Sequence, residues 1–261
     1  MRNLLNTLLV RNKLLTIMGS IMLALAILLL VYLPFNETQV LGINSVIKPI
    51  KFCLSIWIYA WTLAYLLYYV ENQKAVKRFS IIATIVMIYE NGVIIVQALL
   101  GNLSHFNTTD QLGGGLYAIM GVMIVWVTFA LLIITIRFIL QKSYTIHPIY
   151  ALSIKIGLLF FVIFSFMGGY MSSINSHNIG GQIGEAGLPI LNWSTLFGDL
   201  RVAHFFGLHS LQLIPIAGYF IAKKEKNISI AKVYVWLITI LYFAWVSFTL
   251  FQALNGLPVW K

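Results

Sequence analysis

The sequence predicts an all-α, polytopic integral membrane protein with seven transmembrane helices, its N-terminus inside and its C-terminus outside. Three observations carry this. Hydrophobic residues make up 60% of the 261 residues and charged residues only 9%, far from the balance of a water-soluble domain. Apolar runs long enough to cross about 30 Å of hydrocarbon at about 1.5 Å per residue recur along the chain. Basic residues fall in alternate connections between those runs, as membrane insertion requires.

The first span is 14–35. It follows Arg2, Arg11 and Lys13 and ends in Leu33-Pro34-Phe35-Asn36-Glu37, too long for a signal-peptide core and without a small-residue cleavage site, so it is read as a retained helix. The second, 46–70, opens around Pro49 between Lys48 and Lys51. The third, 79–101, carries Glu90 near its middle, and the fourth, 114–137, is nearly featureless and ends at Arg137. The fifth, 148–171, starts at Pro148 and holds Lys155 two turns in, within snorkelling distance of the headgroups. The sixth, 200–222, is the most polar. The seventh, 231–253, has a lysine only at its start, Lys232. Residues 1–261 read as a single seven-helix domain without a soluble domain, linker or internal repeat. The longest connection, about 172–198, holds Gly180, Gly181, Gly184 and Gly187 and reads as a cap over the outer ends of the helices.

Lys74, Lys77 and Arg78, then Arg137 and Lys142, then Lys223, Lys224 and Lys226 mark three basic connections, whereas 102–113 and 172–198 contain no Lys or Arg. The positive-inside rule then places the N-terminus in the cytoplasm and Lys261 outside. Retinal-binding and G-protein-coupled seven-helix receptors have the opposite orientation, and the seventh span has no interior lysine for a Schiff base. The net charge of +10 reflects this asymmetry and attraction to anionic headgroups; nucleic acid is not an expected partner. The one cysteine, Cys53, excludes an internal disulfide and a cysteine-rich metal site.

Polar and ionisable groups at bilayer depth cost several kcal/mol unless they face a partner, an ion or water, about 2.5–3.5 kcal/mol for a charge on insertion scales. They therefore mark candidate sites. At about 100° per residue, the second span aligns Lys48, Lys51, Ser55, Tyr59 and Thr62. The third aligns Glu90, Gln97, Gly101 and Ser104, followed by His105, Phe106 and Asn107. The sixth carries Arg201, His204, Phe205, His209 and Gln212 behind Asp199, and the seventh Tyr242, Trp245, Thr249 and Gln252. These four stripes are expected to face a shared cavity open to the extracytoplasmic side.

Each residue also has a plain structural reading. Asp199 and Arg201 suit an ion pair and helix N-cap; Lys48 and Lys51 suit snorkelling, although outer ends are where lysine is least expected. His105 suits an interfacial polar group. Glu90 suits a proton relay, a metal ligand, or a protonated hydrogen-bond donor to Gln212 or Tyr59. His204 and His209, five apart, lie about 140° from each other around a helix, which disfavours one mononuclear site using both.

The segments Lys48-Pro-Ile-Lys-Phe52, Ser104-His-Phe-Asn107 and Gly187-Leu-Pro-Ile-Leu-Asn-Trp-Ser-Thr195, leading into Gly198-Asp-Leu-Arg-Val-Ala-His-Phe-Phe-Gly-Leu-His-Ser-Leu-Gln212, resemble an uncharacterised family of small bacterial seven-helix membrane proteins. The resemblance runs from the second to the sixth span and implies a bacterial plasma-membrane location but no activity. A fold-level similarity extends to the seven-helix zinc hydrolases of the alkaline ceramidase and adiponectin-receptor type. Their late-helix histidine pair is spaced by four, not five.

Three functions are expected from these residues. The first is a redox or binding protein holding haem or a metal ion through His105 and His204 or His209, with Lys48, Lys51 and Arg201 against propionates. The second is a zinc-dependent lipid hydrolase in which Glu90 or Asp199 activates water. The third is a proton-coupled carrier of a small anionic solute through Glu90, His209 and Gln212. Partners are then the lipid bilayer and an anionic or lipid-like small molecule, and a homo-oligomer is compatible with all three.

Overall fold

A computed structural model describes residues 2–107, 111–184 and 187–260. The described residues are mostly helical: α1 (Arg2–Arg11), α2 (Lys13–Tyr32), α3 (Ile47–Leu66), α4 (Gln73–Leu99), α5 (Gln111–Leu140), α6 (Pro148–Ser173), α7 (Leu200–Lys224) and α8 (Ile228–Leu254). Seven of these, α2 to α8, are long and apolar enough to cross a membrane. Two 3-10 turns, Leu33–Phe35 and Leu67–Tyr69, follow α2 and α3, and there are two short antiparallel pairings, β1 (Gln39–Val40) with β2 (Ile43–Asn44) and β3 (Asn178–Ile179) with β4 (Gly198–Asp199). The chain forms two compact units, 1–130 and 131–261, with the boundary inside α5. Lys261, expected on the outer side, lies outside the described residues.

Helix starts follow local capping. Asn12 caps α2 by accepting the N–H of Leu15, and Asn72 caps α4 by accepting that of Ala75. The Asn72 cap starts α4 six residues before the apolar run at 79, because a basic turn with Lys74, Lys77 and Arg78 continues the helix beyond its apolar stretch. α1 is an element that the search for spans does not predict. Its ten residues are too few and too polar to cross a bilayer, yet Leu8 is buried while Leu4, Leu5 and Val10 are exposed.

In the first unit, Ala26, Leu29, Val46, Ile50 and Cys53 join α2 to α3, and Val93 and Ile94 of α4 pack with Met120 of α5. Polar contacts fix the start of α3. Asn36 Nδ2 donates to Thr38 O, Asn44 Oδ1 and Ser45 Oγ, and Asn44 Nδ2 donates to Asn36 O at 2.7 Å. This knot in the β1–β2 hairpin sets where the turn bearing Lys48 begins.

In the second unit, α6 and α7 meet through small residues. A Cβ on Gly157 would stand 2.9 Å from the Ser210 carbonyl oxygen, and Cβ atoms on Gly207 and Gly218 would collide with Phe164 and Ser153. In lipid no hydrophobic gain draws two apolar helices together, so close backbone approach supplies the packing. Ile149, Ile156, Ile214, Ala231 and Val235 bring α8 onto this pair at one end, and Phe164, Ala203 and Val246 further along. α8 leaves Leu237, Leu241, Phe248 and Phe251 exposed, an apolar face suited to lipid.

The 172–198 connection is tied at its base. Asn178 and Ile179 pair with Asp199 and Gly198, Leu200 N–H donates to His177 O, and Gly187 bridges to Ser194. Trp193 inside this segment is buried and stacks on Trp260, with ring centroids 5.4 Å apart and planes 11° from parallel.

Candidate functional site

The four predicted stripes divide two and two between the units: Lys48 to Ser104 and on to His105 and Asn107 in the first, Asp199 to Gln252 in the second.

In the first unit, the start of α3 faces the end of α4 and the loop that follows. α4 ends where Asn102 N–H bonds to Gln97 O at 2.8 Å, with Gly101 at φ +75°, a conformation favouring glycine. Asn102 Nδ2 also donates to Gln97 Oε1, and Asn107 Nδ2 donates to Leu103 O. These bonds close the loop on itself and present His105. Its ring sits among Phe52, Tyr117 and Phe106, with centroids at 5.6, 5.8 and 6.4 Å, and its Nδ1 is 3.2 Å from Ser104 Oγ.

Lys48 is the charged neighbour common to His105 and Glu90; its Nζ lies 5.9 Å from the Phe52 ring centre. Glu90 is only 6% exposed, and its Oε1 is buried with no hydrogen-bond partner among the described residues. No hydrogen bond from Tyr59 holds that oxygen, although Tyr59 is itself buried. Asn91, next in α4, points Nδ2 at the sulfurs of Met22 and Cys53, both at 3.1 Å, and its Oδ1 has no hydrogen-bond partner among the described residues. Two adjacent polar side chains in mid-span thus carry unpaired oxygens. Lys51 is half-buried beside this region, and Ser55 is exposed.

Burial, and secondly the charge of Lys48, hold the His105 imidazole well below its ordinary 6.5. The unfolded chain takes up a proton below 6.5 that the folded site refuses, so this site costs stability as pH falls through that value and has no such effect above it. Thermal unfolding of wild type and His105→Gln in detergent checks this. The wild type is expected to lose more stability on acidification than the variant.

In the second unit Asp199, 1% exposed, is both the α7 N-cap and an ion-pair partner. Its carboxylate accepts the N–H groups of Ser194 and Arg201 at 2.9 and 3.0 Å and the Arg201 guanidinium at 2.6 and 2.9 Å. Arg201 also donates to Asn192 O, and His177 Nδ1 lies 4.0 Å from Asp199 Oδ1. This cluster joins the 172–198 segment to α7, and the charge of Arg201 is met by Asp199.

His204 Nδ1 lies 2.9 Å from Phe164 O. A carbonyl only accepts, so Nδ1 carries the hydrogen and Nε2 is left with its lone pair. His209 lies against the Phe205 ring at 4.3 Å and shares a hydrogen bond with Gln212. Among the described residues, no hydrogen bond reaches the buried Oε1 of Gln252. Tyr242 OH donates to Phe206 O, and the Phe206 ring contacts Trp245.

No family model, no curated protein and no solved structure matches the chain.

Among the described residues no three His, Cys, Asp or Glu side chains are grouped to hold one metal ion. In α7, His204 bonds back to α6, while His209 hydrogen-bonds within its own helix to Gln212. Sequence reasoning missed Asn91, which reads as an ordinary polar residue in an apolar run. It also missed Asn192, Ser194 and His177 around Asp199, since nothing in residue spacing ties a loop carbonyl to a guanidinium nine positions on.

Proposed function

We propose that this is a bacterial plasma-membrane protein that binds a small anionic solute together with a proton, through Lys48, Glu90 and His105. The single observation behind this reading is the shared cation. One lysine acts electrostatically on both a buried carboxyl group with an unpaired oxygen and a half-buried imidazole. An anion recruited to Lys48 takes up the positive charge that Glu90 otherwise feels, which favours protonation of Glu90. Anion and proton then load together, and the combined load carries less charge through a low-dielectric region than either does alone. With the N-terminus in the cytoplasm, the start of α3 faces the extracytoplasmic side.

The test uses the full chain in vesicles enclosing a pH-sensitive dye, with lactate, succinate and inorganic phosphate as probes. Proton entry driven by at least one of them, and lost in Glu90→Gln, is the expected result. Proton entry equal in both proteins, or absent with all three probes in the wild type, overturns the reading.

A second reading, ligation of haem or a metal ion, is favoured by His204 alone. A histidine whose Nδ1–H is held by a backbone carbonyl has the fixed tautomer and free Nε2 that metal and haem ligands use. A visible spectrum and metal analysis of the purified protein check it: a Soret band or stoichiometric metal, lost in His204→Ala, supports ligation. For the zinc hydrolase, no grouping of ligands among the described residues offers comparable support.

A further inference from the structure

α1 and the end of α3 build a second polar site, at the opposite end of the first unit from Lys48. Arg11 closes α1 and sits within three tyrosines: its guanidinium carbon is 3.9 Å from the Tyr65 ring centre, 4.8 Å from Tyr68 and 4.9 Å from Tyr69. Cation–π contact of this kind operates within about 6 Å. Nη1 is spent on Tyr65 O and Tyr69 OH, both at 3.0 Å.

The remaining donors are not spent. Nε and Nη2 have no hydrogen-bond partner among the described residues, and no carboxylate pairs with Arg11 there. A groove of about 350 Å³ opens beside them, lined by Asn6, Thr7, Val10, Arg11 and Tyr68. It combines a fixed planar cation with unspent N–H groups and an amide. Lys13, Lys74, Lys77 and Arg78 crowd the same end of the unit. The exposed Leu4, Leu5 and Val10 suit α1 to the boundary between headgroups and acyl chains.

We propose that this groove binds a phosphate group, with Nε and Nη2 of Arg11 as a forked donor and Asn6 as a second contact. Guanidinium geometry matches two phosphate oxygens at once, and the tyrosines hold the fork in place before the ligand arrives. An anionic phospholipid headgroup and free phosphate share this chemistry. The apolar rim at Val10 and Tyr68 lets an acyl chain leave the groove toward lipid.

The test is native mass spectrometry of the full chain in mild detergent, titrated with phosphatidylglycerol, diacylglycerol or inorganic phosphate. A charged hydrogen-bonded contact is worth about tenfold or more in affinity. Phosphatidylglycerol is therefore expected to bind at least about tenfold more tightly than diacylglycerol, which lacks the phosphate, to the wild type, with the preference removed by Arg11→Gln. Asn6→Asp is nearly isosteric and exposed, so it tests the groove without disturbing the tyrosines. It is expected to remove the preference too, whereas Lys13→Gln retains it. Inorganic phosphate that binds the wild type and not these two variants assigns the site to free phosphate; binding of phosphatidylglycerol alone assigns it to lipid. Equal binding of the two lipids without phosphate binding, or a phosphatidylglycerol preference that survives both variants, overturns the proposal.

Discussion

Replacing Asp199 with alanine is expected to cause the largest loss of stability of any single substitution outside the apolar core. The carboxylate is 1% exposed, accepts two backbone N–H groups and is paired with Arg201. Removing one member of a buried pair leaves the other's charge and the freed donors uncompensated, at a cost of about 3–5 kcal/mol. Arg201 retains 26% side-chain exposure, which places the expected loss near the lower end. Two further variants separate the contributions. Asp199→Asn keeps an oxygen for the Arg201 N–H but loses the charge, and Arg201→Gln leaves the cap while removing the guanidinium. Both are expected to fall between wild type and Asp199→Ala. Thermal unfolding in detergent, followed by tryptophan fluorescence, measures all three. Trp193 lies in the segment tied down by this cluster, and its stacking on Trp260 should loosen first. A loss below about 1 kcal/mol for Asp199→Ala would mean that the pair behaves as an exposed surface ion pair.

The architecture was legible because apolar runs of about twenty residues leave few alternatives to a helix. Seven apolar runs and the basic connections appear in the sequence with few competing readings, and seven helices of matching position form. The ends differ where capping decides them: Asn72 extends α4 to Gln73, and α5 runs from Gln111 to Leu140 rather than 114–137. The short α1 escaped because its packing rests on one apolar face and on Arg11 reaching Tyr65 and Tyr69, more than fifty residues away. The same distance effect governs the candidate site. Periodicity placed Lys48, Glu90, Gln97 and Ser104 on stripes, and Asp199 at the mouth of its helix. It carries no information about which neighbour a stripe meets. Ser55 was placed with Tyr59 by spacing, yet Tyr59 is buried and Ser55 exposed, because about 400° of rotation over four residues leaves a 40° offset that a narrow packing seam resolves. Likewise the lone pair on His204 Nε2 depends on the Phe164 carbonyl of another helix, which no local pattern announces.

Lys48 and Glu90 are expected to fail in different ways, and that difference is the sharpest consequence of the proposed function. Lys48→Met removes the cation that an anion would contact while keeping a side chain of similar length against Phe52. Loss of a charged contact is worth about 1.5–3 kcal/mol, hence about ten- to hundredfold in anion affinity. Glu90→Gln keeps the cation and the shape, so anion binding should persist while the proton that accompanies it is lost. Measuring anion binding and proton uptake on each variant therefore yields a crossed result: Lys48→Met loses binding and with it coupled uptake, and Glu90→Gln loses uptake alone. Ser55→Ala, on the exposed side of α3, is expected to change neither. A structural role for both residues gives a different outcome, since the carboxyl group and the ammonium would then matter only for folding. The two variants would show parallel losses of thermal stability, and anion affinity would follow the fraction folded. Glu90 strengthens this contrast, because its Oε1 makes no hydrogen bond that Glu90→Gln would break. The folded protein therefore has little to lose from the amide, and a selective loss of proton uptake would point to the chemistry of the carboxyl group itself.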